Sequence, residues 1–169
     1  MKKLKLGVSS CLLGESVRYN AEHKRDSTVI DLLGQQFEAV PVCPEVELGM
    51  GVPREPVRLV ANDASSERMV GSESGKDWTQ AMVDFNSIKL EALRQQNLSG
   101  FIFKSRSPSC GPGNVPLHHE QEKSSTVGLF AHALMQYFPS LPVIDEEALQ
   151  DEIVRQDFVA RVIQYGEKV

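Results

Sequence analysis

The chain has 169 residues, 41% of them hydrophobic and 24% charged, which suits one globular domain with a sizeable core. Its net charge of −5 gives no global attraction to nucleic acid, and no apolar run approaches the length that spans a membrane. Cysteine is scarce and odd in number (Cys11, Cys43 and Cys110), which argues against a secreted disulfide framework and for a reducing cytoplasm. The basic start, Met1-Lys-Lys-Leu-Lys-Leu-Gly, resembles the opening of a signal peptide. The apolar stretch after it is interrupted by Ser9, Ser10 and Glu15, so that reading is rejected.

Residues 4–10 read as a first strand, with Cys11 just past its end. A polar loop follows, carrying Arg18, His23, Lys24 and Arg25. Ser27 is the expected cap of a short helix that runs to about Leu33, with Gly34 near its end. Residues 37–42 predict a second strand, and Cys43 follows at once. The next stretch, from Pro44 to Pro56, is rich in Gly and Pro and reads as an ordered loop. Residues 57–60 and 67–70 flank Asn62-Asp-Ala-Ser-Ser and predict a small hairpin beside the main sheet.

The longest helix is expected over residues 77–97, with Met82, Phe85, Ile88, Leu90 and Leu93 as its apolar positions. Residues 100–103, Gly-Phe-Ile-Phe, read as a buried third strand. They run into Lys104-Ser-Arg-Ser-Pro-Ser-Cys-Gly-Pro-Gly, where two prolines and two glycines exclude regular structure. Ser124 or Ser125 is the expected cap of a helix over residues 128–138, ended by Pro139. A fourth strand is expected over 141–144. A final helix is expected from Asp145 to about Gly166, with Leu149, Ile153, Phe158 and Val162 on its inner side.

Strands alternating with helices predict an α/β protein: a single-domain, Rossmann-like three-layer fold over residues 1–169. Its sheet is mainly parallel, with about four strands, and a small hairpin lies beside it. In such a sheet all strand C-termini share one edge, where ligands bind. Each of the three cysteines lies at or beyond a strand end, so the thiols can converge there although they are far apart in sequence. Three thiolates suit a soft metal or an iron–sulfur cluster. In a cubane cluster they hold three of four irons and leave one open as a Lewis-acid position.

Other residues fall into the same edge loops. Glu45, two residues after Cys43, is a candidate general acid or base, or else a loop carboxylate paired with Arg54 or Arg58. Ser107, three before Cys110, is placed to bond a substrate or relay a proton, or simply to form the turn at Pro108. Arg18, Lys24, Arg25, Arg54, Lys104 and Arg106 could hold an anionic or carbonyl-rich substrate, or form a solvated rim. Among the histidines, His23 is the better site candidate; His118 and His119 read as exposed and His132 as packed or capping. Two rival classes stay open. One is a cysteine-nucleophile hydrolase, which needs a low-pKa thiol beside a histidine. The other is a zinc- or cluster-binding redox or metal module without catalysis, although no Cys-x-x-Cys pair is present.

Three segments carry a family resemblance over nearly the whole chain. The first is Gly7-Val-Ser-Ser-Cys-Leu-Leu-Gly with Val17-Arg-Tyr-Asn and His23-Lys-Arg-Asp. The second is Pro41-Val-Cys-Pro-Glu-Val-Glu-Leu-Gly-Met-Gly-Val-Pro-Arg-Glu-Pro-Val-Arg-Leu. The third is Lys104-Ser-Arg-Ser-Pro-Ser-Cys-Gly. Together they resemble the bacterial thiouracil desulfidase family. That resemblance implies a [4Fe-4S] enzyme that replaces the sulfur of a thiolated pyrimidine by oxygen and releases sulfide. It implies Cys11, Cys43 and Cys110 as cluster ligands, an open iron that takes the substrate sulfur, Glu45 as catalytic acid/base and Ser107 as an assisting group. One departure is Asn20-Ala21-Glu22, where relatives often carry Asp-Gly-Gly. Relatives with a further C-terminal domain act on thiolated transfer RNA. This chain's length and charge point instead to a free base, nucleoside or nucleotide, with no membrane partner.

Overall fold

The computed structural model describes residues 2–61, 66–119 and 123–169. Most of the turn expected between the two hairpin strands lies outside these residues. The main sheet is wholly parallel, with four strands in the order β2 (Phe37–Val42), β1 (Leu4–Ser9), β5 (Leu98–Phe103) and β8 (Val143–Asp145). Its register pairs Ser9 with Val42, Val8 with Ile102, and Ile102 with Ile144, which brings all four C-terminal ends to one edge.

Every residue of β5 is buried, which is why it reads as an apolar run rather than an alternation. Phe101 and Phe103 enter a core with Met82, Leu90, Leu93, Phe130 and Leu134, from α3 (Thr79–Gln96) and α4 (Leu129–Tyr137). Ile102 enters the opposite core with Val29, Leu33, Phe158 and Val162, from α1 (Ser27–Gln36) and α5 (Glu152–Gly166). Helices therefore cover both faces, as the alternating pattern predicts. Close packing demands glycine at Gly7, where a Cβ would lie 2.2 Å from the Phe101 ring.

The expected hairpin is real, β3 (Val57–Ala61) against β4 (Glu67–Gly71), but it is half of a second four-stranded sheet. β3 pairs in parallel with β6 (Val115–His118), and β6 pairs with β7 (Lys123–Thr126). Lys123–Thr126, which holds the expected helix caps Ser124 and Ser125, is thus a strand. Its side chains are mostly exposed and carry no apolar alternation, so only its pairing with β6 defines it.

Other boundaries shift for local reasons. The segment after Cys43, read as a loop, contains the short helix α2 (Pro44–Leu48). Pro44 is preset for its first turn, and Gly49 closes it at φ 104°. Asp26, not Ser27, caps α1 through Oδ1 to the Val29 N–H at 3.0 Å. The final helix does not start at Asp145, which ends β8 and accepts the Ala148 N–H. It begins after Asp151, which caps it by accepting the Ile153 and Val154 N–H groups. Ile88 and Ile153, expected inside, are 75% and 78% exposed. His132 is exposed on α4 rather than packed. Among the described residues no helix is long and apolar enough to cross a membrane.

Candidate active site

A cavity of about 440 Å³ opens at the C-terminal edge of the parallel sheet, lined by all three cysteines together with Glu45 and Ser107. Cys11 lies in the tight turn after β1, Cys43 caps α2 after β2, and Cys110 lies in the loop after β5. All three are free thiols; Cys11 and Cys110 are buried and Cys43 is half-buried. The expectation that three strand ends bring three thiols to one edge thus matches the structure.

Burial disfavours the thiolates. It pushes Cys11 up to about 11, against the pull of the Lys104 ammonium, with Cys43 adding to the rise. Cys43 is raised by burial and by Glu45, opposed by the Val46 N–H. Cys110 is raised well above the ordinary thiol range by burial, opposed by a hydrogen bond from Ser9, with Cys43, Glu45 and Cys11 adding to the rise. The thiols feel one another's charge, so they share one enclosure. Among the described residues no three His, Cys, Asp or Glu side chains converge on a single ion. The three cysteines line one cavity without forming a single-ion site. That suits a polynuclear group, whose separate metal atoms each take one thiolate, better than one zinc.

The loop after β5 is held from both ends. The Lys104 N–H donates to Ser9 Oγ at 2.9 Å, tying the loop to β1. Ser107 Oγ accepts the Cys110 N–H at 3.0 Å and the Ser109 N–H at 3.3 Å, which curls the chain around Pro108. The Pro108 and Ser109 carbonyls accept the N–H groups of Leu129, Phe130 and Ala131, capping α4 with backbone oxygens. Gly128 allows this approach, since a Cβ there would lie 2.6 Å from the Ser109 carbonyl.

Glu45 faces the same cavity from the first turn of α2. Arg54 donates Nε and Nη2 to Oε1 at 3.3 and 3.2 Å, and its Nη1 to the carbonyls of Val17 and Gly51. The anticipated Arg54 pair exists, but it is a cavity-wall pair with side chains only 8% and 13% exposed, not a solvated one. The other oxygen, Oε2, accepts the Ser109 hydroxyl at 2.7 Å.

The cations divide. Arg18, Lys24, Arg54, Lys104 and Arg106 line the cavity, whereas Arg25 does not; the histidine candidate, His23, is absent from its lining too. His23 Nδ1 accepts the Arg25 N–H within its own turn. Arg106 pairs with Glu147 at the surface, and Arg18 lies over the Tyr19 ring at 5.6 Å. Lys104 bonds the buried Glu146 at 2.7 Å, and Ser105 donates its N–H and Oγ to the same carboxylate at 2.7 and 2.8 Å. His118 is exposed on the second sheet, and His119, just past the end of β6, is half-buried and bonds Ser124. Sequence reasoning missed Ser109, Ser9 and Glu146. The one available signal was the place of Ser109 beside Cys110 in a strand-end loop.

The chain is an α/β protein with a wholly parallel main sheet, whose strand ends bring three free thiols and a clamped carboxylate to one cavity. A profile of the 2-thiouracil desulfurase family matches residues 6–146, and the chain belongs to that family. It is 33% identical over 112 residues to the uncharacterized protein YbbK of Bacillus subtilis strain 168, covering 64% of this chain and 74% of that protein. A solved structure of the [4Fe-4S]-dependent thiouracil desulfidase TudS superposes with a TM-score of 0.67. It is 30% identical and covers 92% of this chain and 99% of its own.

Proposed function

We propose that this chain, as one domain spanning residues 1–169 and working in the cytoplasm, replaces the sulfur of a thiolated pyrimidine by oxygen and releases sulfide. The substrate is 2- or 4-thiouracil, or the corresponding nucleoside or nucleotide. The observation that carries this reading is the placement of Cys11, Cys43 and Cys110 around one cavity with the Glu45 carboxylate on its wall. The three thiols would hold a [4Fe-4S] cluster, and their donor set fits it: three soft sulfurs on residues that line one cavity, with Lys104 and Arg18 among the cations that lower Cys11 toward its ligating form. When bound, the cluster supplies one iron without a protein ligand, a soft Lewis acid suited to a thiocarbonyl sulfur.

The residues then have simple tasks. Water enters and hydrogen sulfide leaves, so the exchange is a hydrolysis and needs no external electrons. Glu45 takes a proton from the attacking water at a carboxylate oxygen and returns one to the departing sulfide. Arg54 holds one oxygen of that carboxylate, Oε1, at the cavity wall. Ser107 assists from the loop that carries Cys110, and the surrounding cations favour a polar or anionic ligand.

The rival readings are weaker on particular grounds. A cysteine-nucleophile hydrolase needs a thiol of lowered pKa beside a base, whereas these thiols are raised and no histidine lines the cavity. A single-zinc module needs converging ligands, which the described residues do not offer.

The test is anaerobic reconstitution followed by 2- and 4-thiouracil in water labelled with oxygen-18. The expected result is label in the uracil and one sulfide per turnover. Glu45→Gln should keep its iron and lose about a hundredfold or more in kcat, and Cys110→Ser should lose iron. A fully loaded protein that leaves every thiolated pyrimidine intact overturns the reading.

A further inference from the structure

Glu45 and Ser107 lie 62 positions apart in the chain, and a third side chain hydrogen-bonds both. Ser109 is 1% exposed. Its Oγ lies 2.7 Å from Glu45 Oε2 and 3.1 Å from Ser107 Oγ. A serine hydroxyl has one proton. The nearer and stronger acceptor is the carboxylate, so that proton goes to Glu45 and not to Cys110 Sγ, which lies 3.9 Å away. Ser109 can then meet Ser107 only as acceptor, so Ser107 is the donor between them. The lone pairs of Ser107 face the N–H groups of Ser109 and Cys110. Each proton in the row is therefore assigned, running from Ser107 to Ser109 to Glu45.

We propose that Ser109 is a positioning residue that locks the Glu45 carboxylate in place and makes Glu45 and Ser107 act as one unit; this rests on the desulfidase reading given above. Arg54 fixes Oε1 from one side, yet one fixed oxygen leaves the carboxylate free to swing about it. The hydroxyl of Ser109 removes that freedom by fixing Oε2. Because the Ser109 carbonyl also caps α4, the hydroxyl is carried by backbone tied to that helix.

The test has two arms. The first needs no turnover: a crystal structure of the S109A protein. The Glu45 carboxylate is expected to leave its place between Arg54 and residue 109; a Glu45 that stays put overturns the positioning role. The second arm is a double-mutant cycle on cluster-loaded protein with S109A, E45Q and the pair. S109A should lower kcat by about ten- to a hundredfold, the scale of a hydrogen bond to a charged group, with KM within about twofold. Within E45Q it should lower kcat no further. Losses that multiply, or an S109A protein as fast as the parent, refute the inference. If the parent itself turns over no thiolated pyrimidine, the desulfidase reading fails while the crystal arm still decides the role of Ser109. Should alanine prevent folding, S109T and S109V differ only by the hydroxyl: activity is expected in S109T alone, and equal activity in both is the contrary result.

Discussion

Replacing Glu146 by alanine removes the acceptor of three hydrogen bonds at once, two of them buried and one partly so. The carboxylate lies where β8 meets the loop after β5. It accepts Lys104 Nζ at 2.7 Å, the Ser105 N–H at 2.7 Å and Ser105 Oγ at 2.8 Å, and the residue is 8% exposed. Breaking a buried pair from one side costs about 3–5 kcal/mol. Here Lys104 keeps Ser105 O and Oγ at 3.1 and 3.0 Å, which lowers the expected loss to about 3 kcal/mol. For a chain of this size that is a fall in Tm of about 6–12 °C. The pH dependence has a definite sign. Burial raises Glu146, but the bonds from Lys104 and Ser105 outweigh it, so the folded protein holds this carboxyl below its ordinary value. The stabilisation is then complete above the unfolded carboxylate pKa of about 4.3 and is lost as pH falls through the lower folded value. Urea titrations of metal-free, reduced protein and of Glu146→Ala, from pH 7 down to pH 3, read this directly. The gap between the two proteins should be widest at pH 7 and close with acid. A gap under about 0.5 kcal/mol at pH 7, or one that does not change with pH, refutes the reasoning.

Three further perturbations follow from the same structure. Gly7→Ala drives a methyl to within 2.2 Å of the Phe101 ring, which is itself stacked on Phe103 at 4.3 Å, so thermal melting should show a loss of about 3 kcal/mol or more. Arg54→Met strips four hydrogen bonds from Glu45, Val17 and Gly51; denaturation should show a loss of about 2–4 kcal/mol and kcat should fall, while Arg54→Lys recovers only part, lacking the fork. Ala21 sits at φ 61°, in the loop where the chain departs from the Asp-Gly-Gly of its relatives. Ala21→Gly should therefore raise stability by about 0.5–1 kcal/mol in a urea titration, and a loss would show that the turn is unstrained.

The parallel sheet and the convergence of the three cysteines were legible because their signals are local. Phe101-Ile-Phe103 is an apolar run that only a doubly covered strand explains, and each thiol lies at or beyond a strand end. The second sheet was half hidden because Lys123–Thr126 is a strand by virtue of its partner, not its own pattern. Ile88 and Ile153 fit a helical stripe yet face solvent, since a period places a residue on a face but does not say how wide the covered face is. Within the site, Glu45 and Ser107 stood out for their nearness to cysteines. Ser109 and Glu146 act through contacts 64 and 41 positions away, which no spacing rule encodes.

The central claim is that Cys11, Cys43 and Cys110 together hold a cluster whose open iron serves desulfidation. Its most direct test is one cuvette of protein reconstituted without oxygen, read for visible absorbance, iron and sulfide, and then given 4-thiouracil. The account predicts a brown protein with about four irons per chain and disappearance of the thiouracil absorbance as sulfide appears. A colourless protein with stoichiometric zinc, or a loaded cluster inert to the thiolated base, contradicts it.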